Sequence, residues 1–204
     1  MKTLFYLTLF VLLPLSTSAP GKWKLKKSKD NIEIYTRAYP DSPFKEFKAT
    51  SIIDTTFDAL LQELYDAPTY TPSCDFNVSY RILNDSDDSR FFYYKQEMPW
   101  PIKDRDVVTE LKLVEQTEDR ILLSIETVSD ILDLEDNCLR IDKLSGFWLL
   151  EREDNGIRAT QQIHMDPGGS VPAIIVNPLL VRGPFKTFTE LHRKLDSYKE
   201  MTQN

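Results

Sequence analysis

Apolar and polar positions alternate along most of the chain, which is the pattern of half-buried β-strands. The first two alternating segments flank a turn with two prolines and an aspartate, AYPDSPF, so they predict a hairpin. Six more apolar segments follow, and short polar connections such as NDSDDS and QTED separate them. The predicted strands are 31–37, 44–53, 76–83, 91–98, 107–115, 120–128, 138–151 and 156–165.

Helical spacing of apolar residues occurs in two places. A short helix is predicted to end near Tyr65, and a longer stripe runs from Pro172 to Tyr198. Pro178 and Pro184 interrupt the longer stripe, and each removes a helical hydrogen bond, so we expect either a kinked helix or two successive helices. Because no helix separates the middle strands, the sheet is expected to be antiparallel. The pattern predicts an α+β domain in which one long C-terminal helix covers a curved sheet.

The inner faces of the middle strands are apolar except for Thr109 and Gln161. One interpretation is a filled core with two satisfied polar side chains. The other is a cavity in which a few hydrogen-bonding groups orient an apolar ligand, and periodicity does not distinguish the two. The residues predicted to line such a cavity are Phe92, Tyr94, Val107, Thr109, Leu111, Leu123, Phe147, Leu149, Gln161 and Ile163 from the strands, with Ile174, Val181, Phe185 and Phe188 from the C-terminal helix.

The first nineteen residues have the pattern of a secretory signal peptide. Lys2 precedes the apolar run LFYLTLFVLLPL, and small residues follow in STSA. The run is shorter than the roughly 20 apolar residues that span a bilayer. We predict a signal peptide over residues 1–19, cleaved after Ala19 or Ser18, and one secreted or periplasmic domain over residues 20–204. The alternative is an uncleaved membrane anchor.

Composition excludes several classes of protein. The net charge of −7 argues against nucleic acid as a partner and against steady adhesion to an anionic bilayer. The sequence has no G-x-S-x-G, no H-E-x-x-H and no glycine-rich phosphate loop, so it predicts no catalytic residue, no metal and no cofactor. Cys74 and Cys138 have no metal-binding spacing; export permits a disulfide between them, but the sequence does not decide it.

Two motifs carry a resemblance to a known family. The first is PWPIKDRD at residues 99–106, and the second is DPGGSVPAIIVN at residues 166–177, followed by a helix ending in FTELHRKL. NIEIYTR, FKEFKAT and LRIDKLSGFWLL occur around them in the family's order and extend the likeness over nearly all of the chain after the signal peptide. On these motifs the chain resembles a START domain, the steroidogenic-acute-regulatory-related lipid-transfer fold of the helix-grip superfamily.

The resemblance implies a curved antiparallel sheet wrapped around a long C-terminal helix, with a tunnel that holds one lipid or similar hydrophobic molecule. Phe92 and Leu111 stand near the places where sterol-carrying members often have charged side chains, so a drier pocket is expected here. Structural or gating roles are implied for Pro99, Pro101, Arg105, Asp106, Asp166, Gly168, Gly169 and Pro178.

These observations lead to three hypotheses about function. The leading one is an exported, monomeric START-like domain that is not an enzyme and that binds or transfers a lipid, with transient membrane contact. The second is a helix-grip enzyme of the cyclase, aromatase or hydrolase type, in which Gln161, Thr109, Tyr94 and Arg105 position an apolar substrate. The third is an interaction domain whose core is full.

Overall fold

The computed structural model describes residues 20–66, 78–85, 89–98, 100, 102–135 and 137–202. The segment predicted as a signal peptide lies outside the described residues, as do Cys74, Pro99 and Pro101. The signal peptide, the disulfide and the roles of the two prolines therefore stay predictions.

The described chain forms one ten-stranded sheet. Nine strands follow one another in the order β1-β2-β3-β10-β9-β7-β6-β5-β4 and pair antiparallel, while β8 pairs parallel with β6. The α+β class and the antiparallel, helix-grip architecture are thereby confirmed. The strands are β1 (Lys24–Lys29), β2 (Ile32–Ala38), β3 (Lys45–Ile53), β4 (Val78–Asp85), β5 (Ser89–Gln96), β6 (Asp104–Gln116), β7 (Arg120–Thr127), β8 (Cys138–Arg140), β9 (Lys143–Glu153) and β10 (Gly156–Asp166).

Three helices complete the described fold: α1 (Phe57–Tyr65), α2 (Ala173–Val176) and α3 (Leu179–Thr202). Thr56 caps α1, because its hydroxyl oxygen accepts a hydrogen bond from the Ala59 N–H at 3.3 Å. The C-terminal stripe forms two successive helices separated at Pro178, and Pro184 lies inside α3. A proline in the first turns of a helix removes few internal bonds, so α3 continues past it.

Two strand boundaries differ from the sequence-based prediction. The lysine-rich run Lys24–Lys29 is not among the predicted strands, yet it forms β1 at the edge of the sheet with mostly exposed side chains. Asp30 and Asn31 join it to β2 in left-handed backbone conformations, with φ of 54° and 59°, which suit a two-residue hairpin turn. Exposed lysines on an edge strand oppose pairing with another chain. The predicted strand 138–151 is also divided into β8 and β9.

One half of the space between the sheet and α3 is filled. Trp148 and Phe188 are fully buried, and their rings lie 5.3 Å apart. Leu191 and Leu195 extend this core along the C-terminal half of α3. The Lys194 ammonium donates to the Glu63 carboxylate at 2.8 Å and ties α3 to α1. The filled half fixes the position of the helix over the sheet, while the other half of the interior is hollow.

Candidate functional site

An apolar cavity of about 230 Å³ lies between the sheet and the region from α2 to the first turns of α3. The strands β5, β6 and β10 supply most of the strand residues on its wall, because alternate side chains of each strand point to the same face. The lining residues are Phe47, Phe92, Tyr94, Gln96, Met98, Arg105, Asp106, Val107, Thr109, Leu111, Ile125, Ile141, Leu144, Gln161, Ile163, Met165, Pro167, Val171, Ile175, Val176, Leu179, Leu180, Gly183, Pro184 and Thr187.

Polar groups on the wall are few and mostly neutral. Thr109 and Gln161 are both buried, with 5% and 4% of their surface exposed. Charged side chains occur only at one end of the described lining, where β5 ends, β6 begins and β10 ends; we name this the corner end, defined by Gln96, Arg105 and Met165. The cavity thus combines a long apolar wall with a polar end, which suits an amphipathic molecule.

Asp106 and Arg140 form a buried ion pair at the corner end. The Asp106 side chain is 1% exposed, and its two carboxylate oxygens accept hydrogen bonds from Arg140 Nε at 2.9 Å and Nη2 at 2.8 Å. The bond to Asp106 raises the pKa of the Arg140 guanidinium. Arg140 also donates to the Leu132 and Asp133 carbonyl oxygens, so one guanidinium joins β6 to the loop before β8. Asp106 is therefore occupied as a structural group.

Arg105, next to this pair, is held differently. Its side chain donates from Nη1 to the Lys103 carbonyl oxygen, while Nε is fully buried and makes no hydrogen bond. Burial lowers the pKa of the Arg105 guanidinium. Arg105 holds the Lys103 carbonyl and Asp106 holds the Arg140 guanidinium, but only Asp106 has all its polar atoms paired. The structural or gating role implied for the two residues stays a prediction.

A glycine turn after β10 covers the corner end. Gly168 and Gly169 both have left-handed backbone conformations, with φ of 68° and 65°, which other residues resist. The Asp166 carboxylate accepts a hydrogen bond from the Gly168 N–H at 2.9 Å and so shapes the turn. A Cβ atom on Gly168 would lie 2.6 Å from Cδ2 of Leu139, so the turn sits directly on that side chain.

The Cys138 thiol is half-buried beside the corner end. Burial, followed by the nearby Asp106 charge, raises the pKa of Cys138 above its ordinary value. A raised pKa keeps a cysteine as the less reactive thiol at neutral pH. Tyr93 is likewise shifted, because burial and a hydrogen bond to Glu135 raise its pKa. Both shifts disfavour the deprotonated form that would act as a base or nucleophile near pH 7.

Half of the predicted cavity residues lie on the wall. The structure brings together seven of the fourteen: Phe92, Tyr94, Val107, Thr109, Leu111, Gln161 and Ile163. Five of them belong to β6 or β10, where polar residues on the opposite face make the alternation easy to read, whereas Phe92 and Tyr94 belong to β5, whose run FFYY is aromatic on both faces. Leu123 is fully buried on β7 but belongs to the packed core rather than to the wall.

The assignment of Phe147 and Leu149 to the cavity is corrected by the register of β9. Trp148 lies opposite Gln161 on β10 and opposite Leu123 on β7, so these three residues share the inner face. Phe147 and Leu149 therefore point to the other face, where both are half-buried. The inward residues of β9 are Trp148 and Leu150, each with 0% of its surface exposed.

The helical assignments also need correction. Ile174 is 81% exposed, and Phe188 belongs to the filled core beside Trp148. Phe185 lies under the Lys27 ammonium, which is 3.2 Å from the ring centroid, and Val181 packs against the core. The helix instead turns Leu180, Gly183, Pro184 and Thr187 to the cavity. Pro178 is exposed in the connection between α2 and α3.

The sequence-based prediction missed several wall residues because they are small, and their small size leaves the space that forms the cavity. Gly183 and Thr187 are spaced four apart on α3 and face the hollow half, where large side chains would have filled it. Apolar periodicity selects large residues, so it finds the filled half of a helix and passes over the hollow half. Met98, Val171 and Ile175 lie outside the strands and were not assigned to any face.

The described residues contain no group of three or more His, Cys, Asp or Glu side chains that could hold a metal ion. Within the same part of the chain, no helix is both long enough and apolar enough to cross a membrane.

The fold and the cavity define the class of this protein: a helix-grip domain with an apolar internal cavity. The START domain family model matches residues 7–201, and the match begins within the segment predicted as a signal peptide. The chain belongs to the START domain family. The match confirms the resemblance that was inferred from the PWPIKDRD and DPGGSVPAIIVN motifs.

Relatives with solved structures share this fold. A STAR-related lipid transfer protein from Xanthomonas axonopodis is 30% identical, with a TM-score of 0.75 over 85% of this chain and 98% of that one. The human StAR-related lipid transfer protein 5 is 14% identical, with a TM-score of 0.69 over 87% of this chain and 88% of that one, which shows the fold alone. An uncharacterized protein of Pseudomonas aeruginosa is 25% identical over 83% of this chain and 84% of its own length.

Proposed function

We propose that this protein binds a lipid or similar hydrophobic molecule in the cavity and carries it between membranes outside the cytoplasm. The observation that carries the proposal is a cavity with a wall of apolar side chains beside a filled core. Each methylene group removed from water contributes about 0.8 kcal/mol, so an acyl chain supplies affinity without a charged contact. The similarity to a Xanthomonas axonopodis protein described as a STAR-related lipid transfer protein supports the same function.

Binding fits the cavity better than catalysis does. Gln161, Thr109, Tyr94 and Arg105 do line one cavity, as the enzyme hypothesis requires. Acid–base catalysis also needs a group that gains and loses a proton near neutral pH. Asp106, the one carboxylate of the described wall, has both oxygens bonded to Arg140, and neither histidine of the chain lies on that wall. The described wall therefore favours a carrier.

Exposed apolar side chains at the corner end support transient membrane contact. Trp100 is 92% exposed and lies, in the sequence, between the wall residues Met98 and Arg105. Ile174 is 81% exposed and directly precedes the wall residue Ile175 in the sequence. Tryptophan is favoured at the interface between water and lipid. Since the net charge is −7, contact through these apolar side chains suits the protein better than contact through charge. The proposal includes a monomer that docks with this end and exchanges its ligand there.

A vesicle-to-vesicle transfer assay tests this proposal. The full protein is expected to accelerate the movement of a fluorescent fatty acid from donor to acceptor vesicles. Trp100→Ser combined with Ile174→Ser should slow transfer at least about fivefold and leave the equilibrium affinity unchanged, because each exposed side chain contributes about 1.5 kcal/mol or more when it enters the interface. Replacing exposed Leu25 with Ser on β1 is the matched control. Equal transfer by the double variant and the control would remove the docking proposal, and no acceleration by the unmodified protein would remove the carrier proposal.

The glycine turn is the proposed hinge through which the ligand enters and leaves. Gly168→Val would place a β-branched side chain at a φ of 68° and against Leu139, so the turn could not seat over the corner end. We expect the release of a fluorescent fatty acid, measured by stopped flow, to be at least several-fold faster. Ser170→Val, at an exposed position of the same loop, is the control. If both variants release ligand at the unmodified rate, the turn is not a hinge.

A further inference from the structure

The unusual group in this cavity is Arg105, the first inward side chain of β6. Only 6% of its surface is exposed, and it lies on the wall at the corner end. Its Nη2 atom is 3.6 Å from the place of a Cβ atom on Gly169, so the guanidinium lies directly under the glycine turn. The turn and the apolar wall keep water from most of this cation.

Arg105 forms no ion pair among the described residues; burial lowers the pKa of its guanidinium, and the charge of its chain neighbour Asp104 offsets this effect only in part. The guanidinium donates to the Lys103 carbonyl oxygen, its Nε is fully buried without a hydrogen bond, and no described carboxylate comes within the 4.0 Å of an ion pair. Asp104, its chain neighbour, accepts a hydrogen bond from the Met98 N–H at 2.9 Å. A buried charge without a counter-charge is strongly unfavourable in a protein interior.

Arg140 provides the comparison within the same corner. Both arginines are buried beside the cavity, yet Arg140 has a bidentate partner in Asp106. Holding the Lys103 carbonyl uses one of the five N–H donors of Arg105, so fixing the corner explains only part of this side chain. An arginine stays protonated at neutral pH even when burial disfavours its charge. Because Arg105 lies on the cavity wall and the Lys103 carbonyl is its one acceptor among the described residues, its remaining donors are available to an anion bound in the cavity.

The volume of the cavity limits how many apolar chains an anionic ligand can carry. Pockets for drug-sized ligands measure about 300–1,000 Å³. At about 230 Å³, this cavity lies just below that range and suits one apolar chain better than two.

From these observations we infer that Arg105 binds the anionic headgroup, a carboxylate or a phosphate, of a single-chain lipid whose tail fills the cavity. The inference rests on the proposed function and specifies its ligand class. The planar guanidinium matches both headgroups, since each presents two oxygens to paired N–H donors. The tail then runs from the corner end along Val107, Thr109 and Leu111 of β6.

Headgroup preference of the unmodified protein is the first part of the test and needs no variant. Oleate, oleoyl lysophosphatidate, oleyl alcohol and monooleoylglycerol each compete with a neutral fluorescent probe in the cavity, at mildly alkaline pH where the carboxylate is ionised. The four compounds share a tail and differ in the charge of the headgroup. We expect at least one anion to bind about tenfold or more tightly than both neutral compounds, and the two anions tell carboxylate from phosphate.

Variants of Arg105 then test whether this residue causes the preference for an anionic headgroup. Arg105→Gln keeps a donor for the Lys103 carbonyl and should bring the preferred anion to the affinity of its neutral analogue, whereas Arg105→Lys should retain part of the preference. Arg120→Gln, an exposed arginine paired with Glu115 on the outer face, is the matched control.

The outcomes separate this inference from the proposed function. Equal binding of charged and neutral compounds by the unmodified protein, or a preference that survives Arg105→Gln, overturns the anion site and leaves the lipid-binding proposal intact. Failure of all four compounds to displace the probe overturns both.

Discussion

Thr109→Trp weakens the binding of a single-chain lipid by about a hundredfold or more. Thr109 lies on the wall near the middle of β6, and it is 5% exposed. An indole ring there takes up a large part of a cavity of about 230 Å³. If the ring excludes four methylene groups, the loss is roughly 3 kcal/mol, which corresponds to about a hundredfold in affinity. Equilibrium titration with oleate or oleyl alcohol measures the change.

The control for this variant is Glu126→Trp, which places the same side chain on the exposed face of the neighbouring strand β7. Overpacking of a filled core destabilises proteins by about 1–3 kcal/mol, whereas filling a cavity should cost less. Urea unfolding of Thr109→Trp therefore reports whether the interior is hollow. Unchanged lipid affinity in Thr109→Trp would mean that the ligand binds elsewhere.

Asp106→Asn lowers the free energy of unfolding by about 3–5 kcal/mol. The change leaves the Arg140 guanidinium buried with no counter-charge, and removing one partner of a buried pair costs about this much. A protein of this size has a total stability of about 5–15 kcal/mol, so the variant approaches the limit of folding. Urea-induced unfolding followed by tryptophan fluorescence measures the loss.

Two further variants show that the loss comes from the unpaired charge. Glu115→Gln breaks the exposed pair with Arg120 and should cost no more than about 1 kcal/mol. Adding Arg140→Met to Asp106→Asn removes the stranded cation and should recover part of the stability. A loss in Asp106→Asn as small as that in Glu115→Gln would contradict the structural role given to this corner.

How much the sequence predicts depends on how clearly each strand marks its two faces. On β6 and β10, residues such as Glu110, Lys112 and Arg158 identify the outer side, and the inner residues were assigned correctly. On β9 the run GFWLL is apolar at both parities, so alternation could not choose between Phe147 and Trp148. The register with β7 and β10 decides it, and that is a long-range property.

The cavity itself was the least predictable feature. A wall is apolar whether the space behind it is filled or empty, and the difference lies in volumes contributed by distant segments. Gly183 and Thr187 leave space beside the first turns of α3. Further along, Phe188 of α3 and Trp148 of β9 fill the space between the helix and the sheet. The family motifs supplied what periodicity could not. They pointed to a helix-grip domain with a tunnel for a hydrophobic molecule, although they implied only a structural or gating role for Arg105.

The measurement that tests the central claim most directly is native mass spectrometry of the protein, purified without detergent and then extracted with solvent. The account predicts one adduct per chain that extracts as a single-chain lipid and that is absent from Thr109→Trp. A bare mass that stays bare after incubation with mixed lipids would contradict the claim that this cavity is a lipid-binding site.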